Sequence, residues 1–285
     1  MLLGLLCPEA HEFQFIIRYF IIAMLFWSFL EMRPVSFVRQ HVWLLLANWA
    51  VGGLAWAVLH PWNRELALTA LLIGLTPTAT AAPVITEMLG GRTEFVLSSV
   101  LLTNLTAAVV YPLVIPPALG TGEPLSIAPI LPFLAQTLSV VLLPFAVAQL
   151  IRRRLPSLKT VLSRGRFLSF YLWLATLFLA TANASFFIRH SWDRAGVHAQ
   201  VAIIAAVAAA ICATNFWLGR KLGGTAWALE AGQSLGQKNT MLSIWFALTF
   251  VNPMVALGPI CYILFHNSYN AWQLSRMKAV GGLKA

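Results

Sequence analysis

The sequence predicts an all-α polytopic membrane protein, on the strength of its composition, the placement of its charges and two apolar spans broken at their centres. Of 285 residues, 59% are hydrophobic and only 10% charged, against roughly a quarter charged in soluble domains, and mean hydropathy is +0.79. Water is a poor solvent for such a surface. Apolar runs of about 20 residues recur from end to end, each long enough to cross the roughly 30 Å hydrocarbon core as a helix. One membrane domain is expected, with no soluble one.

Polar and Pro/Gly punctuation divides the chain into nine spans. Span one, 13–31, stops ahead of Arg33 and Arg39; span two, 41–59, and span three, 66–89, flank Arg64; span four, 95–117, follows Arg92. Span five, 126–151, runs into Arg152, Arg153 and Arg154, with Lys159, Arg164 and Arg166 before span six at 166–187. Arg189 and Arg194 precede span seven, 199–218, which Arg220 and Lys221 close. Spans eight, 225–251, and nine, 252–274, meet at Asn252-Pro253, a tight turn whose proline opens the last helix; Arg276, Lys278 and Lys284 follow.

Nine crossings sort these loops into one side with fourteen basic residues and another with three, Arg64, Arg189 and Arg194. The positive-inside rule makes the rich side cytoplasmic, so the N terminus is expected outside and the C terminus inside. Topology thereby accounts for the net charge of +10, which in a soluble protein would suggest nucleic acid; none is expected as a partner. Met1–Leu6 is too short for a signal-peptide core, and the short loops fit a multi-pass protein of a bacterial inner membrane. Cys7, Cys212 and Cys261 are odd in number and far apart in apolar settings, which indicates buried small hydrophobes, no disulfide framework and no metal site.

Spans three and eight differ from the rest. Leu75-Thr76-Pro77-Thr78-Ala79-Thr80-Ala81-Ala82-Pro83 places two prolines at the centre of one, removing backbone donors and colliding with the preceding turns. Gly232-Gln233-Ser234-Leu235-Gly236-Gln237-Lys238-Asn239-Thr240, in the other, is too polar to face lipid. Both read as discontinuous helices. Spans one to four and six to nine start at offsets of 153 to 159 residues, and the odd number of crossings between partners makes the two copies inverted. Broken helices at matching places in inverted repeats point to a midplane binding site, where half-helix N termini attract anions and C termini attract cations. The plainer reading is a kinked, packed helix whose freed groups are satisfied by Thr76, Thr78 and Thr80.

Lys238 is the most informative single residue, because an ammonium half-way across a membrane needs a partner or water. Glu87 and Glu230 are the carboxylates well inside the spans and hence the candidate partners. The lysine can hold a substrate carboxylate, release a proton, stand where a bound cation would sit, or form a fixed ion pair. His266-Asn267 places an imidazole and an amide on adjacent faces of the last span; a lone helix histidine is more often a hydrogen-bonded core residue. Arg18, five residues into the first span, is expected to snorkel outward. Trp43, Trp62, Trp192 and Trp272 lie near span ends, as interfacial tryptophans do, and mark no cofactor. Catalytic motifs are missing: His11-Glu12 lacks the second histidine of a zinc-protease helix, and there is neither a Gly-x-Ser-x-Gly elbow nor a Walker loop. No enzyme activity is expected.

The stretch Gly236-Gln237-Lys238-Asn239-Thr240-Met241-Leu242, then Asn252-Pro253 and Phe265-His266-Asn267-Ser268, resembles the end of the bile acid:sodium symporter family, where a Glu-x-Gly-x-Gln-Asn-x-x-Leu crossover precedes a helix bearing His-Asn. Pro77-Thr78-Ala79-Thr80-Ala81-Ala82-Pro83-Val84 is similar to that family's Pro-Gly-Gly-Thr-Ala-Ser-Asn-Val crossover. The resemblance implies the family's inverted-repeat fold with two crossed discontinuous helices, in its nine-helix form. It also implies a panel helix over 1–40, a first core half over 41–125 with its broken helix at 66–89, panel helices over 126–198, and a second core half over 199–285 with its broken helix at 225–251. Substrate would bind between core and panel, and their rocking would give alternating access.

Carried over by position, Thr80, Asn239 and Asn267 fall where the family contacts organic anions, and Thr78, Lys238, Thr240 and His266 flank them. The cation set departs from the family. Its Ser-Asn is Ala82-Pro83 here, its cation-binding Glu falls on Ser234 and its crossover Gln on Lys238, while Asn48, Ser98 and Gln237 remain as oxygen donors. A site that has lost its carboxylate and gained an ammonium is expected to bind sodium weakly or not at all, with Lys238 in the vacated charge position. The leading expectation is secondary transport of a small organic anion, a carboxylate or 2-oxo acid, coupled to protons or uncoupled. The alternatives are sodium symport through Ser98, Asn48 and Gln237, and a non-transporting receptor or assembly subunit on the same fold.

Overall fold

The computed structural model describes residues 2–31, 36–119, 127–190 and 196–279. Of the loop residues that bear on topology, Arg33, Trp192, Arg194 and Lys284 lie outside the described residues. Every regular element among those described is helical. The helices are α1 (Leu2–Leu6), α2 (Ile17–Leu30), α3 (Arg39–Leu59), α4 (Arg64–Leu75), α5 (Ala82–Met88), α6 (Thr93–Leu119) and α7 (Ile127–Arg154). They continue with α8 (Pro156–Ser163), α9 (Leu168–His190), α10 (Val197–Gly236), α11 (Thr240–Phe250) and α12 (Pro253–Ala279). A 3-10 stretch, Pro8–Ile16, leads into α2, and another, Arg164–Phe167, into α9.

Among the described residues, six helical stretches are long and apolar enough to cross a membrane: Pro8–Leu30, Arg39–Leu59, Thr93–Leu119, Leu134–Arg154, Pro156–His190 and Val197–Gly236. The protein is therefore a multi-pass membrane protein, all-helical in its described residues. Span three is split into α4 and α5, with Thr76–Ala81 outside helix, because Pro77 and Pro83 bring no N–H and Pro83 fits the first turn of α5. Span eight breaks more narrowly than its polarity suggests. Only 237–239 leave the helix, and Gly232–Gly236 stay helical as the end of α10. The break between spans seven and eight is also within α10, where Gly224 (φ 60°) and Trp227 (φ −136°) depart from helical geometry. A positive φ there suits glycine, which has no Cβ to collide.

The chain divides into two compact units. One comprises 1–32, 105–202 and 241–257; the other 33–104, 203–240 and 258–285. In the first, Ile17, Ile21, Leu25 and Phe29 form a buried stripe at helical spacing along α2. Phe29 meets Phe145 edge-on at 5.2 Å, and Trp27 Nε1 donates to the Leu162 carbonyl at 3.0 Å. The leading residues run along α9: Leu5 O accepts from Ser185 Oγ (3.0 Å) and Arg189 Nη2 (2.7 Å). Tyr111 and Ser243 share a buried hydroxyl hydrogen bond of 2.8 Å.

In the second unit α3 crosses α4 at Gly52 and Gly74, where a Cβ on Gly74 would stand 2.1 Å from Gly52 Cα. Neighbouring packing joins Ala70 and Ile73 to Ala208, Ile211, Cys212, Phe216 and Tyr262. The cysteine expectation needs correction: Cys212 is buried, but Cys7 is exposed and Cys261 half-buried, since Cys7 sits in the short connection after α1 rather than inside a packed helix.

Candidate functional site

The second unit contains a node at which the two interrupted helices meet. Thr78 and Lys238 form an isolated antiparallel bridge. Ala79 N–H donates to Gln237 O at 2.9 Å, and Asn239 N–H donates to Pro77 O at 2.7 Å. The two breaks thus supply each other's backbone partners, which is the requirement for unwound chain at membrane depth. Four half-helix ends converge there: the C-terminal ends of α4 and α10, negative by their dipoles, and the N-terminal ends of α5 and α11, positive.

Side chains brace the node from three helices. Thr78 N–H donates to Thr103 Oγ1 (2.9 Å), Thr78 O accepts from Asn104 Nδ2 (3.0 Å), and Thr78 Oγ1 donates to Ser234 O (2.7 Å). Asn104 Oδ1 accepts from Asn239 Nδ2 at 2.9 Å. On the far side, Tyr262 hydroxyl caps the end of α10 by donating to Gly236 O (2.8 Å) and accepts from Asn215 Nδ2 (3.2 Å).

Lys238 is 2% exposed, and its Nζ donates to Asn48 Oδ1. The amide of Asn48 in turn donates to Leu75 O and Thr76 O, both at 3.3 Å. The ammonium therefore stands at the negative end of α4 through one amide. The expected carboxylate partners are corrected here. Glu230 pairs with Arg92 instead, Oε1 to Nε at 3.1 Å and to the Arg92 N–H at 3.0 Å, and Glu87 is exposed on α5. Each lies six or seven residues, about two turns, away from the break. Among the described residues no carboxylate pairs with Lys238.

The other expected site residues are placed as follows. Thr78 and Thr240 are buried, Thr80 and Asn239 half-buried. Gln237 donates to Gln233 Oε1, and Gln233 Nε2 to Gln273 Oε1 at 2.8 Å, a buried amide chain joining α10 to α12. Ser98 Oγ is committed to Ser36 O (2.8 Å) and Glu94 O (3.0 Å). Ser234 Oγ is buried with no hydrogen-bond partner, as are Ser99 Oγ and Asn270 Oδ1. His266 is buried with Nδ1 unpartnered, and its ring meets Tyr262 edge-on at 5.6 Å. Asn267 is exposed; the buried asparagine of this helix is Asn270, one turn on from His266.

The family model for sodium bile acid symporters matches residues 18–191, more than half of the chain. The chain belongs to the sodium bile acid symporter family. No curated protein matches it. The family is one of membrane transporters, and the chain is read as a transporter rather than an enzyme on that basis. The match includes Asn48, Thr78, Asn104 and the first break, and ends before Lys238 and His266. Thr103 and Asn104, which brace the node, are residues that sequence reasoning misses, although the signal is present: polar side chains within apolar spans, the same signal that marks Lys238.

Proposed function

We propose that this member of the family carries a small organic anion, a carboxylate or 2-oxo acid, across the bacterial inner membrane by alternating access, with Lys238 serving as the built-in positive charge that a bound sodium ion would otherwise supply. The observation that carries the reading is the Lys238–Asn48–α4 arrangement. A half-helix C-terminal end is where this class of transporter coordinates cations, and here an ammonium occupies that position through Asn48. Uniport or proton coupling replaces sodium symport. In this reading the positive ends of α5 and α11, with Thr78, Thr80, Asn239 and Thr240 at the breaks, receive the anion, and His266 and Asn267 are assigned to it by the family resemblance alone. Nine spans with inverted repeats, an outer N terminus and a cytoplasmic C terminus belong to the same reading, supported by the reciprocal backbone pairing of the two breaks and by the basic loops.

A sodium-coupled reading is favoured by one observation, the unpartnered buried oxygens of Ser234 and Ser99. The two are separated by thermal unfolding of purified protein with pyruvate or 2-oxoisovalerate, with and without sodium, in wild type and Lys238→Ala. Stabilisation that ignores sodium and disappears in Lys238→Ala is expected. Stabilisation by the anion that requires sodium overturns the assignment of Lys238.

A further inference from the structure

Where α7 hands over to α9, in the first unit, the chain holds six basic residues within one short stretch: Arg152, Arg153, Arg154, Lys159, Arg164 and Arg166. No acidic residue occurs between Glu123 and Asp193. The three consecutive arginines form the last turn of α7. Leu155, disfavoured from helical backbone by the proline after it, departs at φ −132° and ψ 63°, and Pro156 opens α8. With eight residues, α8 is about 12 Å long, far too short to cross a bilayer, and basic residues bound it at both ends. It is nonetheless held in place. Trp27 Nε1 donates to Leu162 O at 3.0 Å, and Gly165 sits against the same indole, where a Cβ would stand 3.3 Å from Trp27 Cζ2.

The side chains of α8 divide into two faces. Leu155, Leu158 and Leu162 recur at helical spacing with Val161 on the same arc, while Ser157, Lys159, Thr160 and Ser163 occupy the rest of the turn. No residue of α8 is buried. Leu155, Leu158 and Val161 are exposed, as are Phe167 and Phe170 around the start of α9, and so are Arg153, Arg154, Arg164 and Arg166. Glu31 Oε2 lies 4.0 Å from Arg166 Nη1; among the described residues Arg153, Arg154, Lys159 and Arg164 pair with no carboxylate. A short helix fixed at the end of membrane-spanning helices, apolar on one side and bounded by cations, suits the boundary between acyl chains and phosphates. Guanidinium groups bind phosphate through two parallel hydrogen bonds. A soluble acidic protein would answer the charge but not the exposed leucines and valine beside the membrane, which acyl chains cover. We propose that α8 and its flanking arginines form a docking site for anionic phospholipid, with phosphodiester head groups on Arg153, Arg154, Lys159 and Arg164 and acyl chains against Leu155, Leu158 and Val161. The site lies wholly in the first unit and is independent of the transported anion and of Lys238.

The test is hydrogen exchange, read by mass spectrometry, of the full chain in phosphatidylcholine nanodiscs with and without phosphatidylglycerol. Amides of 155–167 are expected to exchange at least about fivefold more slowly in the anionic discs, the scale of a single basic residue at an anionic surface. They should lose that protection in about 1 M salt, where the Debye length is about 3 Å. The combined variant Arg153→Gln, Arg154→Gln, Lys159→Gln and Arg164→Gln should abolish the difference between discs. Leu158→Glu with Val161→Glu, which leaves every basic residue and hence the charge signal for insertion in place, should abolish it as well and keeps the test open if the first variant inserts wrongly. Equal exchange in the two discs, or protection that survives salt or either variant, would overturn the proposal. So would equal protection in phosphatidylcholine discs by inorganic phosphate, which would make the patch a site for free anion, or by polyglutamate, which would assign it to an acidic protein.

Discussion

Asn48 serves two partners with one amide group: its Nδ2 closes the open carbonyls of Leu75 and Thr76, while its Oδ1 receives the ammonium of Lys238. Removing the amide leaves a buried charge and two carbonyls unserved. Asn48→Leu is therefore expected to cost about 3–5 kcal/mol, the scale for stripping a partner from a buried charge. Lys238→Met in the Asn48→Leu background should recover most of that loss, because the uncompensated charge is gone. Thermal unfolding of the two single variants and the double measures the coupling directly. An additive cycle would show that the amide and the ammonium do not depend on one another.

Restoring oxygen donors in place of the ammonium should restore a cation site. Lys238→Gln combined with Ser234→Glu returns the residues that the family resemblance places there, and the Ser234 oxygen it replaces is itself unpartnered. Sodium is expected to raise the Tm of this double variant while leaving wild type unmoved, as ligand binding to the folded state requires. Equal responses of the two proteins to sodium would contradict the exchange of roles.

The α3–α4 crossing allows a sharp comparison between neighbouring glycines. A Cβ on Gly74 would fall 2.1 Å from Gly52 Cα, whereas one on Gly53 meets nothing within 4 Å. Gly74→Ala should destabilise by roughly 1–3 kcal/mol as overpacking does, and Gly53→Ala should be neutral or slightly stabilising by the removal of a helix glycine. The difference in Tm between the two variants checks it. Because Asn48 lies one turn before Gly52 on α3, Gly74→Ala should also weaken anion binding.

Glu230 and Arg92 form an ion pair of their own, although the sequence offers Glu230 to Lys238. Glu230 is nearly buried and Arg92 half-exposed, with the guanidinium 3.6 Å from the centroid of Trp227. Arg92→Leu should lower Tm more than Glu230→Gln, since the first strands a buried carboxylate and the second keeps an Oε1 acceptor for the Arg92 N–H. Neither change should alter the response to anion, which the proposed function assigns to the crossed breaks.

Much of this architecture is legible in sequence for reasons that can be stated residue by residue. Pro77 and Pro83 disfavour a continuous helix, and the structure stops α4 at Leu75 and starts α5 at Ala82. Asn252-Pro253 predicts a turn, and Asn252 Oδ1 accepts from Val255 N–H at 2.9 Å as an N-cap does. The cost of an ammonium in an apolar span marks Lys238. Its partner is not legible, because charge complementarity points to carboxylates while the contact joins residues 190 positions apart in the chain, Asn48 and Lys238. Helical periodicity likewise sets His266 and Asn267 on adjacent faces, but only packing determines that Asn270 is the buried asparagine. Polarity overstates the second break: the glutamine chain through Gln233 and Gln273 lets a polar stretch remain helical among other amides.

The pairing of the two breaks also constrains how the chain is made. Thr78 and Lys238 are 160 residues apart in sequence, so the first interrupted segment is synthesised long before its partner exists. At about 5–20 residues per second, the carbonyl of Pro77 and the N–H of Ala79 wait roughly ten to thirty seconds for Asn239 and Gln237. Lipid offers them nothing in that interval. The segment must pass it in a wet or protein-lined refuge at the insertion machinery, and the node forms only as about the last sixth of the chain arrives.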